Sequence, residues 1–426
     1  MINRATWCGV CVVTTSTAAT LAGEWAAPAF DRIVTEQPGV SFAPRGISGD
    51  GNVVFGTAKV AGISVYSRMA KWTLEQGVEV IDTAPGIFGS TVWSSSQDGS
   101  VLAGQRAFNP VIWTRARGFR KLYPGLDSSL LSVYWVSNDG ASASVSAPNS
   151  VVPPSHAYSW SEQAGLQFRM FPPDRVLKDF SIASRNGEFF AWASADDVRI
   201  REPDGTTTLV RGAIGDRRLY YSSISNDGKH LAGWYSKPGG ETGLFRMDRA
   251  GAIRDFPMPR GYSSLLYTVY SADLSCAAIT GAAYLPHRPD FPSYFAMYWR
   301  EKEGVHPLHT FAGGQMPAII SDSGFASAIS DDGSAVYGRI TNGVTNPSAP
   351  PSDIAFRIRL DPRPYCAGDI NGDRIVDDQD FMSFANSYDE LVAPFADQAF
   401  DLNADLEVDD GDFVLFLRAY AEGLCP

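Results

Sequence analysis

The chain has little lysine, only five histidines and five cysteines, and no run of the roughly 18 apolar residues that a membrane-spanning helix needs. No GxSxG elbow, HExxH helix, P-loop or dinucleotide-binding glycine pattern occurs, which removes the enzyme classes those motifs announce. No extended basic stretch occurs, so nucleic acid finds little to condense on. The formal net charge of -12 is concentrated in one place. Residues 366–426 carry 12 Asp and 3 Glu against 2 Arg, whereas the rest of the chain balances 33 basic with 32 acidic residues. An acidic tail on a neutral body repels nucleic acid, and no such partner is expected.

What is present points to a folded, turn-rich protein. Of 426 residues 44% are hydrophobic, with 10 Trp and 24 Phe, enough for a full core and more than one domain. Gly at 40 and Pro at 27 favour short strands joined by many turns. One phrase returns seven times: GISGDGNVVFG (46–56), SSSQDGSVLAG (94–104), WVSNDGASASVSA (135–147), SIASRNGEFFAW (181–192), SISNDGKHLAG (223–233), VYSADLSCAAITG (269–281) and AISDDGSAVYG (328–338). Each reads as a strand, a turn in which Asp or Asn caps its own backbone while Gly takes positive φ, and an apolar strand. Between the copies lies a second phrase of two strands around a polar turn, with Trp72, Trp113, Trp160 and Trp299 at matching positions.

Four strands in each unit of about 41 to 50 residues is the period of a β-propeller blade. The fold expected is all-β, a seven-bladed β-propeller over 38–362 with six to eight blades open, followed by a small α-helical domain over 366–426. Closure is expected by joining Ala355–Leu360 to the strands near 40–56, so that the two chain ends share a blade and no sheet edge stays free. An open β-solenoid or a pair of sandwiches would leave that divided last unit unexplained. The phrases resemble short extracellular repeats of bacterial surface and secreted proteins, a likeness that implies a propeller outside the cytoplasm. They depart from the sialidase-type Asp-box, because Gly follows Asp directly. Residues 1–27 read as a signal peptide or a disordered leader, with cleavage near Ala26 or Ala27.

The acidic tail has its own grammar. In DINGDRIVDDQD, Asp369, Asn371 and Asp373 stand at positions 1, 3 and 5, the Ile375 carbonyl at 7, Asp377 at 9 and Asp380 at 12, the spacing of an EF-hand calcium loop. Thirty-two residues on, DLNADLEVDDGD repeats it with Asp401, Asn403, Asp405, the Glu407 carbonyl, Asp409 and Asp412. Oxygen donors in this number select a hard cation, so two Ca2+ sites are expected. Position 6, normally Gly, is Arg374 in one loop and Leu406 in the other. After each loop, Phe381, Phe384, Ala385 and Tyr388, then Phe413, Phe416, Leu417 and Tyr420, form an apolar helix stripe, with Val376 and Val408 placed to pack between the loops.

This duplicated loop and helix resembles a dockerin, specifically the dockerin-like C-terminal domain of exported proteins of some aquatic bacteria. The resemblance implies a calcium-dependent plug for a cohesin-like or cell-surface protein. Positions 10 and 11 are Asp378-Gln379 and Asp410-Gly411, departing from the Ser/Thr pair common in cellulosomal dockerins. Cys366 and Cys425 bracket the segment, which suggests a disulfide and an oxidising compartment, with two free thiols as the alternative. CGVC at Cys8 and Cys11 lacks the further ligands or fold that a metal or redox site needs. Two function classes follow: an exported propeller that binds protein or glycan and is anchored by its calcium module, or a carbohydrate-active hydrolase or lyase. For the second, Asp196, Asp197, Asp216 and Asp290 are the loop acids outside the repeat frame. A carboxylate pair about 5 to 10 Å apart in a walled cleft would favour the enzyme, an aromatic or polar face the binder.

Overall fold

The computed structural model describes residues 29–33, 39–61, 67–82, 89–122, 132–146, 157–161, 164–169, 181–193, 198–211, 215–259, 262–283, 293–308, 324–341, 353–360, 366, 368–370, 375–389, 400, 402 and 408–422. A first strand, β1 (Ala29–Ile33), is followed by six consecutive four-stranded antiparallel sheets. They are β2 (Val40–Ile47), β3 (Val54–Val60), β4 (Arg68–Thr73) and β5 (Gly77–Val80); β6 (Ser90–Ser95), β7 (Val101–Arg106), β8 (Asn109–Thr114) and β9 (Gly118–Lys121); and β10 (Ser132–Val136), β11 (Ser142–Ser146), β12 (Ala157–Ser161) and β13 (Gly165–Arg169). Then come β14 (Ser181–Ala183), β15 (Phe190–Ala193), β16 (Val198–Arg201) and β17 (Thr207–Val210); β18 (Arg218–Ile224), β19 (His230–Ser236), β20 (Thr242–Asp248) and β21 (Ile253–Pro257); and β22 (Tyr262–Tyr270), β23 (Cys276–Ala283), β24 (Ser293–Arg300) and β25 (Gly304–Pro307). The seventh sheet consists of β26 (Gly324–Ile329), β27 (Ala335–Thr341), β28 (Asp353–Arg359) and, outside them, β1.

Seven sheets of four strands, with innermost strands of successive blades side by side, as in β2–β6, β6–β10, β14–β18, β18–β22, β22–β26 and β26–β2, make a seven-bladed β-propeller. Its core is shared between blades. Ala232, Leu244 and Phe256 of the fifth blade pack with Tyr270, Ile279, Met297 and Trp299 of the sixth, and Ala328, Tyr337 and Ala355 of the seventh pack with Ile47, Val54 and Trp72 of the first. Because both faces of a blade meet a neighbour, strands such as β23 are apolar along nearly their whole length. Trp72, Trp113, Trp160 and Trp299 occupy the third strands of blades one, two, three and six, all buried as the repeat phase requires.

The ring closes differently from the sequence expectation. The strands near 40–56 belong to a complete first blade, and it is β1, ahead of residue 38, that pairs with β28 from Ala29↔Arg359 to Ile33↔Ala355. Asp31 receives the Nε–H of the buried Arg357 at 2.8 Å, a second guanidinium N–H goes to the same oxygen, and Phe30 packs on Phe356 with centroids 5.7 Å apart. Arg357 also donates to the Gly51 carbonyl at 3.2 Å and lies over Trp72, tying the closing blade to the first.

After the propeller come α1 (Asp378–Asp389) and α2 (Asp410–Glu422). Phe384 and Phe416 stack with centroids 5.0 Å apart at the centre of a small core with Val376, Val408, Phe400, Leu402 and Cys366. Phe381 and Phe413 pack on that core as expected, but Leu417 and Tyr420, placed in the stripe by spacing, are exposed at the edge.

Candidate functional site

The repeated turn, Ser-x-Asp-Gly in five blades, Ser-x-Asn-Gly in the fourth and Ser-x-Asp-Leu in the sixth, joins the first two strands of every blade, and its hydrogen bonds recur each time. Ser48 donates to Asp50 at 2.6 Å and accepts the Val53 N–H at 2.9 Å, while Asp50 accepts the Asn52 N–H at 3.0 Å. Equivalent bonds recur at Ser96, Ser137, Ser184, Ser225, Ser271 and Ser330. The turn glycine has positive φ and abuts the preceding blade: a Cβ on Gly187 would lie 2.1 Å from the Trp135 ring. In blade six Leu274 takes the same conformation, φ 61°, with its side chain fully buried.

This geometry turns the variable residue of each turn toward the propeller axis. Gly49, Gln97, Asn138, Arg185, Asn226, Ala272 and Asp331 form a ring at one end of the channel, stitched by backbone bonds such as Gln97 N–H to Asn138 O, Ala272 N–H to Asp331 O (both 2.8 Å) and Asp331 N–H to Gly49 O (2.7 Å). Blades four and seven are as far apart as a seven-membered ring allows, yet Arg185 reaches across it. Its guanidinium lies 3.2 Å from Asp331 and donates to the carbonyls of Ile329 at 3.1 Å and Tyr270 at 3.3 Å. Asn138 donates to Asp331 at 2.8 Å from blade three. Gly49 leaves the room for this, since a Cβ there would stand 2.6 Å from the Asp331 carboxylate. Together these groups plug the channel.

A cavity lies on each side of the plug, and Asn138 and Asp331 line both. One is a polar cup of about 670 Å³ with Asn226, Asp227, His230, Asp273 and the Arg246–Glu301 pair. Burial pushes His230 below the usual histidine range. The other is a chamber of about 590 Å³ walled by Trp135, Tyr220, Tyr221, Trp234, Tyr267 and the hydroxyls of Ser94, Ser95, Ser222, Ser223 and Thr268. Tyr220 and Trp234 stack with centroids 3.7 Å apart. Burial raises the Tyr221 phenol to about 12, so it remains a neutral hydroxyl. Tyr267, half exposed to the chamber, is also raised by the surrounding protein, with the Arg185 charge pulling the other way.

The inner strands carry β-bulges that re-aim side chains. They fall at Arg45, Trp93, Tyr134, Ser222 and Ser327, each the third residue before the turn serine, and at Ser263 and Leu266 in blade six. Ser222 and Leu266 line the chamber through this device, and the Arg45 guanidinium lies 4.3 Å from the Trp93 ring centroid. None of these residues stood out in the sequence. Their only signal was that they vary inside an otherwise repeating phrase. Asp331 is the one carboxylate among the described chamber residues, and it is committed to Arg185 and Asn138. Of the loop acids, Asp216 is exposed in the turn before β18, and Asp196, Asp197 and Asp290 lie outside the described residues.

In the C-terminal unit the described loop residues repeat one arrangement. Asp380 and Asp412 are fully buried. Asp380 accepts the N–H groups of Asp377 (3.1 Å) and Ile370 (2.8 Å), and Asp412 that of Asp409 (2.9 Å). Asp377 and Asp409 cap the N–H groups of Gln379 and Gly411 in the same way. The Ile375 side chain is exposed. A carboxylate removed from solvent needs compensating charge or hydrogen bonds, and two inward-held carboxylates in oxygen-rich loops fit a hard cation. Asn371, Asp373, Asp401, Asn403, Asp405 and Glu407 lie outside the described residues, and among the described ones no group of three or more His, Cys, Asp or Glu is gathered. Cys366 is buried, Cys276 has a free thiol, and Cys425 lies outside the described residues.

No protein-family model matches the chain and no curated protein matches it. Solved structures do. An oligogalacturonate lyase in complex with manganese shares 13% identity, with a TM-score of 0.52 over 79% of this chain and 97% of its own. The oligogalacturonate lyase of Vibrio parahaemolyticus shares 12%, with a TM-score of 0.50 over 79% and 98%. A prolyl endopeptidase shares 14%, with a TM-score of 0.51 over 77% of this chain and 51% of its own. At such identity the likeness is one of fold, and function has to be argued from the site.

Proposed function

We propose that this protein is an exported glycan-binding propeller that carries a two-site calcium module at its C-terminus. The observation that supports it is the chamber: about 590 Å³, within the usual range of ligand sites, walled by aromatic rings and interleaved hydroxyls above the Arg185–Asp331 ion pair. Aromatic faces take the C–H faces of sugars, and the Ser, Thr and Tyr hydroxyls exchange hydrogen bonds with sugar hydroxyls. A hydrolase or lyase reading asks for an acid and a base in the pocket, and Asp331 is tied up in the plug. Binding without turnover is therefore the better account of the chamber. The test is calorimetry across an oligosaccharide panel. Replacing the stacked Trp234 by Ala removes roughly 1.5–3 kcal/mol of apolar burial if the ring is covered by ligand, tenfold or more in affinity; an unchanged affinity refutes the chamber as the site.

The C-terminal reading rests on the two buried carboxylates at the starts of α1 and α2. Asp369, Asn371, Asp373, the Ile375 carbonyl, Asp377 and Asp380 would hold one Ca2+, and Asp401, Asn403, Asp405, the Glu407 carbonyl, Asp409 and Asp412 the other. The ion would supply the positive charge that these crowded carboxylates otherwise lack. A Cys366–Cys425 disulfide would fasten the module in an oxidising compartment, and a cohesin-like or cell-surface protein is its natural partner. Mass spectrometry of the non-reduced protein tests the pairing, and cell fractionation tests export.

A further inference from the structure

We infer that the chamber receives the end of an uncharged glycan chain, and not a stretch along its length or a polyanion; this rests on the glycan-binding reading above. The first ground is the floor. A channel open at both ends would let a polymer thread through, whereas here Arg185 and Asn138 cross the axis to Asp331, and the backbone belt of the turn residues holds the ring narrow. A chain entering the chamber must stop at the plug with its terminal sugar against Arg185 and Asn138.

The second ground is charge. Arg185 and Asp331 are the only charged residues among the described chamber lining, and they neutralise each other. Arg185 also donates to two backbone carbonyls, and the Asn138 amide donates to Asp331 Oδ2, while Asp331 Oδ1 faces Arg185 as an ion pair without a hydrogen bond. A carboxylate on the ligand would thus lose its water without gaining an unpaired cation. The remaining lining is aromatic rings and hydroxyls, and the Ser95 and Thr268 hydroxyls are buried without a hydrogen-bond partner. This is the chemistry of a neutral polyol site. It separates the chain from the folds it resembles, two of which act on oligogalacturonate, a polyanion.

The experiment compares three ligand forms on the full chain by calorimetry at low and high salt: linear neutral oligosaccharides with free ends, cyclic oligosaccharides of the same sugars, and oligogalacturonates. The expected result is that the linear neutral form binds at least tenfold more tightly than the other two, with little dependence on salt. Arg185→Ala, whose folding is checked by its thermal transition, should narrow the preference over the cyclic form to less than threefold. Asn138→Ala, which leaves the ion pair in place, should do so to a smaller degree. Equal binding of cyclic and linear forms overturns end recognition, and tighter, salt-sensitive binding of oligogalacturonate overturns the neutral class. Either result leaves the glycan-binding reading standing. If none of the three forms binds, that reading falls and this inference with it.

Discussion

Replacing Asp31 by Ala should open the propeller at its closing blade. Asp31 lies on β1 and accepts two guanidinium bonds from Arg357, which is 1% exposed and 326 residues away in sequence. Removing one partner of a buried pair strands the other charge, a cost of about 3–5 kcal/mol. Arg357 keeps the Gly51 carbonyl and the Trp72 face, so the loss belongs at the lower end, about 3 kcal/mol. Urea unfolding followed by tryptophan fluorescence would report it as a lower midpoint with an unchanged slope. Asp31→Asn should cost less, because the amide oxygen still accepts. The double variant with Arg357→Met should recover much of the loss, since a neutral pair strands no charge. An unfolding free energy for Asp31→Ala within about 0.5 kcal/mol of the parent, the usual scatter of a surface substitution, would refute this closure.

Gly187→Ala should destabilise blade four and distort the chamber together: its φ is +74° and a Cβ would strike Trp135. A matching loss in midpoint and in glycan affinity is expected; a loss of neither would contradict the packing. Acid stability should depend on the turn carboxylates. Partial burial opposes ionisation of Asp227, but the Lys229 N–H, the Ser225 hydroxyl and the Lys229 ammonium hold it down at about 2, and Asp139 is lowered by Ser137 and the Ala141 N–H. A folded pKa below the unfolded value of about 4 contributes stability above that pH and loses it as pH falls toward 2; Asp227→Asn should flatten that arm of an acid titration, and an unaltered arm would count against it. Calcium calorimetry should find two sites, with Asp380→Asn and Asp412→Asn each abolishing one. Two full sites in either variant would remove those residues from the ligand shell.

The blades were legible because each is a local event. Ser-x-Asp-Gly closes its turn with bonds spanning two to five residues, and the matching tryptophans lie in third strands a whole number of repeats apart, so phrase and period together yield seven sheets. The buried Phe384–Phe416 contact was legible for the same reason, through helical spacing, whereas Leu417 at the margin of that stripe was misread because spacing cannot say where a neighbouring helix ends. The closing strand was not legible: AFDRI has no turn phrase, and its partner lies at the far end of the propeller sequence. Nor was the plug. Arg185, Asn138 and Asp331 stand at positions the repeat leaves free, and nothing local distinguishes them from any solvated turn residue. Sequence by itself determined the turns, the strands and their number, because hydrogen bonds and alternation act within a few residues. Only the closed ring decided which variable residues face one another across the axis, because that meeting depends on where the blades stand in space.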